Sequence, residues 1–68
     1  MQMKRAIADI LMFDAGLRIS QSGMAAKDIV KNLQDEGFDL TDYLTNTVGI
    51  PANQSPEIAE KIMKEINQ

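Results

Sequence analysis

Leu33-Gln34-Asp35-Glu36-Gly37-Phe38-Asp39-Leu40-Thr41-Asp42-Tyr43 is the stretch of this 68-residue chain on which the fold turns. Glycine takes the left-handed conformation at the residue after a helix without a Cβ penalty, and an apolar residue beyond it folds back onto the last helical turn. Gly37-Phe38 has that form, with Leu33 placed to meet Phe38 across the glycine in the full pattern of a Schellman stop. Asp39 then stands as the N-cap of the next helix, with Phe38 and Tyr43 at the N′ and N4 positions of a hydrophobic staple. One helix is expected to end here and another to begin at once.

The same grammar recurs on either side, at Gly16-Leu17 and Gly49-Ile50. Three stops divide the chain into about four short helices, over residues 2–15, 22–36, 40–48 and 56–67, and predict an all-α fold built as a compact bundle. Residues 1–68 are read as one helical domain, because a chain this short buries a single small core.

Periodicity supports each helix. Ala6, Ile7, Ile10, Leu11, Phe13 and Leu17 recur at spacings of three and four and predict one broad apolar face. The first helix either stops at Gly16 or runs through it to about Ser20. The stop is favoured, with Leu17 turning back toward Met12, because Asp14 would otherwise share the direction of Ile7 and Ile10, where a carboxylate is costly to bury. The second helix starts from Ser20 or Ser22 as N-cap, the first choice making Ile19 and Met24 a staple, and Ala26, Ile29, Val30 and Leu33 form its stripe. Leu40, Leu44 and Val48 supply the buried face of the third, whose threonines are indifferent helix formers. Ser55-Pro56-Glu57 combines an N-cap, a proline in the first turn and an early acid. Ile58, Ala59, Ile62, Met63 and Ile66 follow on one side, with Glu57 to Lys61 and Glu60 to Lys64 spaced as i,i+4 ion pairs.

Composition works by exclusion. The chain has no cysteine and no histidine, so it lacks a disulfide framework, a thiolate nucleophile, the commonest general base and the commonest metal ligand. No apolar run approaches the roughly 20 residues that span a bilayer. No serine lies in a Gly-x-Ser-x-Gly elbow, and no phosphate-binding glycine loop is present. A calcium loop begun at Asp35 fails, since its third, sixth and twelfth positions hold Gly37, Leu40 and Asn46. No enzymatic activity, cofactor, metal, membrane or small-molecule substrate is expected, and the cysteine-free composition suits the cytoplasm.

Charge is unevenly placed. Net charge is -3, yet residues 35–60 carry six acids and no cation, while Lys4, Arg5, Arg18, Lys27 and Lys31 precede them. Met12 lies roughly opposite the Ile7-Ile10 stripe, so the first helix carries apolar groups around most of its circumference and asks for burial on more than one side. Together these features point to a non-enzymatic binding protein, a regulator, adaptor or inhibitor. Its contact residues are expected to be Met12 with the acidic corner Asp35, Glu36, Asp39 and Asp42, and its partner another protein or a second copy of itself. An acidic structural homo-oligomer, such as a homodimer through the first helix, is a separate class.

A helix-turn-helix DNA-binding regulator is the alternative, with Arg18, Lys27 and Lys31 touching phosphate. It is disfavoured: the candidate recognition helix, from Leu40 to Val48, has no Lys or Arg, and Asp39 and Asp42 stand at its N-terminal end.

Overall fold

The computed structural model describes residues 3–68, so the expected start of the first helix at residue 2 lies outside them. Four helical segments follow in order: α1 (Met3–Phe13), α2 (Ile19–Asn32), α3 (Leu40–Tyr43, continuing as a π-helical turn through Leu44–Val48) and α4 (Ser55–Ile66). α1 packs against α2 and α4, and α3 with its π turn closes over α4. The radius of gyration is 10.6 Å, close to the roughly 10.9 Å that size scaling gives for a compact chain of this length. The expected small all-α bundle is what forms.

Ile7 and Leu11 of α1, Ala26 and Ile29 of α2, Leu44, and Ile62 of α4 are buried at the centre of one continuous core. Leu40, Ile50, Ile58 and Ala59 extend it. Each fully buried Ile or Leu side chain contributes about 1.5–3 kcal/mol. With so few of them, the loss of one is a large fraction of the total stability.

Two glycine stops form where expected. Gly16 has φ +73° and Gly49 φ +92°, conformations open to glycine and strained for other residues. In each, the residue after glycine donates its N–H six residues back, Leu17 to the Leu11 carbonyl at 3.1 Å and Ile50 to the Leu44 carbonyl at 2.9 Å. Leu17 therefore closes on Leu11 rather than Met12. α1 ends at Phe13, two residues before the expected residue 15, and Asp14 is exposed beyond it, 3.4 Å from Lys61.

Gly37 does not stop a helix, and α2 ends four residues short of the expected residue 36. Leu33 tightens onto Val30 in an i→i−3 bond of 3.5 Å, and the Asn32 amide donates to the Asp28 carbonyl at 2.8 Å. The Asp35 carboxylate accepts the Gly37 N–H at 2.9 Å, while the Asp35 carbonyl accepts that of Phe38 at 3.0 Å. A short acidic side chain has offered the backbone a local turn in place of another helical turn.

The other end of α2 also departs from expectation. The helix begins at Ile19 with Arg18 as an extended N-cap residue that makes no side-chain cap bond, and neither Ser20 nor Ser22 caps it. Ser22 is instead fully buried, in line with Ala25, Ala26 and Ile29. Its small side chain belongs to the face turned into the core, and that packing outweighs the roughly 1 kcal/mol a cap offers. Ile19 and Met24 consequently form no staple and are both exposed.

Asp39 does cap α3, its carboxylate accepting the Asp42 N–H at 3.1 Å. The rings of Phe38 and Tyr43 pack with centroids 5.5 Å apart, as the staple requires. Regular geometry then gives way to the π turn, where the Gly49 N–H reaches the Leu44 carbonyl at 3.0 Å. The Thr45 hydroxyl lies 3.0 Å from the Thr41 carbonyl and 2.7 Å from Ser55 Oγ, holding the widened turn against the start of α4.

Ser55 is not the N-cap but the first residue of α4. Its buried hydroxyl faces back to the carbonyls of Ile50 and Pro51, each 3.2 Å away. Of the two expected ion pairs on α4, Glu60–Lys64 forms at 3.7 Å, whereas Lys61 turns away from Glu57 to Asp14. Lys61 thus ties α4 to the exit of α1.

Candidate functional site

Helix α1 buries Ile7 and Leu11 and leaves the opposite side to solvent. On that side Lys4, Arg5, Ala8, Asp9 and Met12, together with Ile19 from the first turn of α2, line a depression of about 400 Å³. Met12 is half-buried in it, while Ile19 stands 77% exposed at its edge. Phe13 and Met24 are 78% and 71% exposed. Of these three exposed apolar side chains only Ile19 borders this depression; Met24 lines another and Phe13 lines neither.

Phe13 belongs to the expected apolar face but does not reach the core. At 100° per residue it stands about 200° from Leu11, so position alone directs it outward. Ile19, expected in a staple, is exposed because α2 starts a turn early. The signal that finds it is the pairing of Ser22 with Ala26 and Ile29 on one face, which fixes the rotation of α2 and leaves Ile19 outside.

The acidic residues occupy another part of the surface. Glu36, Phe38, Asp39, Leu40, Pro56, Ala59, Glu60 and Met63 border a shallow depression of about 670 Å³ between α3 and α4. Asp35 is engaged with Gly37, Asp39 caps α3, and Asp42 accepts from the Asn46 amide at 2.6 Å. Among the described residues Glu36 makes no hydrogen bond or ion pair, which leaves its carboxylate available. Met12 lines the first depression and the acids Glu36 and Asp39 the second; the two share no residue.

Arg18, Lys27 and Lys31 are all exposed, Arg18 at the start of α2 and the two lysines one turn apart along it. None forms an ion pair among the described residues, and Lys31 does not pair with Asp35.

A third, smaller depression of about 270 Å³ lies between α2 and the π turn, lined by Gln21, Met24, Asp28, Tyr43 and Val48 among others. The Tyr43 hydroxyl donates to Asp28 at 3.2 Å, and the Gln21 amide donates to the Val48 carbonyl at 3.3 Å. Burial, then the hydrogen bond to Asp28 and the negative charge of that carboxylate, hold the Tyr43 phenol above its ordinary pKa. The first contact holds α2 to the end of α3, the second to the π turn.

Among the described residues no three His, Cys, Asp or Glu side chains converge as a metal site would require. No helix among them is long and apolar enough to cross a membrane. Comparison of the chain with protein-family models, with curated proteins and with solved structures finds no match.

Proposed function

We propose that this chain is a small cytoplasmic protein-binding module without catalysis of its own, acting as a regulator, adaptor or inhibitor through the outer side of α1 and the first turn of α2. The observation that carries this reading is the exposure of Ile19 beside the Met12 depression. Ile19 does not contribute to the core, and its position next to a concave, mostly apolar surface fits an anchor for another macromolecule. Lys4, Arg5 and Asp9 frame that surface with charge, as the polar rim of an interface would.

The test is affinity capture from the native host with the parent chain, Met12→Lys and Ile19→Lys, followed by hydrogen exchange on any complex recovered. Both positions lie away from the buried centre, so the variants are expected to fold. A partner retained by the parent, lost by both variants and protecting α1 from exchange is the expected result. A parent chain that is monomeric and shows no protection of α1 with any captured protein refutes the reading.

A further inference from the structure

We infer that the α1 surface is built for a second copy of this chain, joined head to tail, with Ile19 of one copy entering the α3–α4 depression of the next. The inference rests on the proposed use of the α1 surface and names its occupant. Both halves of the contact are present on one molecule. The donor half carries an exposed apolar side chain, Ile19, with the cations Lys4 and Arg5 beside it and Asp9 as the one acid of its lining. The receiving half offers the exposed Met63 and the half-buried Phe38 over the buried Leu40, with a margin of Glu36, Asp39 and Glu60, the last paired with Lys64, and no cation in its lining.

Charge complementarity selects this pairing over its competitors. Lys4 and Arg5 form no ion pair among the described residues, and neither do Glu36 and Asp39. A contact of two α1 surfaces would join two faces of net positive charge, since Lys4 and Arg5 outnumber Asp9, whereas the head-to-tail contact sets that charge against Glu36, Asp39 and Glu60. Such pairing steers encounter and fixes orientation.

Because the two faces differ, the contact is heterologous: it closes into a ring or continues as an open chain of copies.

Sedimentation velocity of the full chain tests the inference, run at rising concentration in low salt and again in about 0.5 M salt, where exposed charges are screened. The weight-average mass is expected to rise with concentration to at least twice the 7.5 kDa of one chain, and to fall back in high salt. The double variants Lys4→Glu/Arg5→Glu and Glu36→Lys/Glu60→Lys are each expected to stay monomeric alone and to associate when mixed, since each restores the other's missing complement. Ile19→Asp serves as a second probe if either double variant loses its helical circular dichroism. It places an acid at a helix start, where it is tolerated, and is expected to remain monomeric.

A parent chain that stays monomeric at all concentrations overturns the inference, as does a mixture of double variants that fails to associate. Association abolished by Lys4→Glu/Arg5→Glu but untouched by Glu36→Lys/Glu60→Lys overturns it too, because α1 would then meet something other than the acidic face. A monomeric chain whose α1 surface captures a foreign protein ends the head-to-tail contact and leaves the proposed function standing.

Discussion

Thr45 Oγ1 lies 2.7 Å from Ser55 Oγ, joining the π turn to the first residue of α4 through two hydroxyl groups. Ser55 is fully buried and also faces the carbonyls of Ile50 and Pro51, so the loop between Gly49 and α4 is organised around this one side chain. Ser55→Ala would leave those carbonyls without the hydroxyl and is expected to destabilise the fold by about 1–3 kcal/mol. In a domain of this size each kcal/mol lowers Tm by about 4–8 °C. Thermal unfolding of Ser55→Ala, Thr45→Val and the double variant measures the loss and the coupling between the two. Additive losses would show that the 2.7 Å contact carries no coupling energy.

The glycines should separate into two classes. Gly16→Ala and Gly49→Ala force a side chain into positive φ and are expected to cost about 1–2 kcal/mol each. Gly37 does not adopt positive φ, and a Cβ there meets the Asp35 carboxylate at an ordinary 3.5 Å. Gly37→Ala is therefore expected to be neutral or slightly stabilising, by up to about 1 kcal/mol. Gly23→Ala, inside α2 with open space around it, should stabilise by about 0.5–1 kcal/mol. Urea unfolding of the four variants checks the order, and a large loss at Gly37 would restore the helix stop that its sequence context suggests.

Ser22 is fully buried and its hydroxyl has no hydrogen-bond partner among the described residues. Ser22→Ala removes an unpaired polar group while keeping the small volume that lets α2 approach the core. The expected result is neutral or up to about 1 kcal/mol more stable. A clear loss of stability in the same unfolding assay would mean that the hydroxyl is satisfied.

Tyr43 is the sole tyrosine of the chain, which has no tryptophan, so its ionisation is read directly from ultraviolet absorbance. Its pKa is raised by burial and by Asp28, so the folded state holds the proton more tightly than the unfolded chain does. The stability linked to this proton is fully present below the unfolded value of about 10. It is lost as pH rises from there through the raised folded value. Asp28→Asn removes the negative charge and should bring the native titration back toward the ordinary value. A titration unchanged by Asp28→Asn would assign the shift to burial alone.

The Lys61–Asp14 pair has both side chains substantially exposed, and its contribution is expected to be below about 1 kcal/mol. Lys61→Ala and Asp14→Asn, compared at low and high salt, should differ little from the parent and less as salt rises. A loss above that size, insensitive to salt, would show that the contact positions the exit of α1 rather than decorating it.

The sequence by itself determined that the chain is helical, how many helical segments it has, and where glycine ends two of them. It also determined the capping of α3 by Asp39 and the Phe38–Tyr43 contact. These features are local: each depends on residues within about one or two helical turns, and their energies follow from backbone geometry and side-chain reach. Tertiary structure decided that α2 starts at Ile19 and ends at Asn32, that Ser22 and Ser55 turn inward, and that Lys61 leaves Glu57 for Asp14. A serine cap and a glycine stop are worth about 1 kcal/mol, no more than a competing side-chain turn at Asp35 or the burial of a few methylene groups, so packing between helices tips each choice. The candidate surface divided in the same way. That Met12 lies off the Ile7–Leu11 face and that the acids cluster after residue 34 follows from helical position and sequence, whereas the exposure of Ile19 and the separation of Met12 from the acids depend on how the finished helices are rotated against one another.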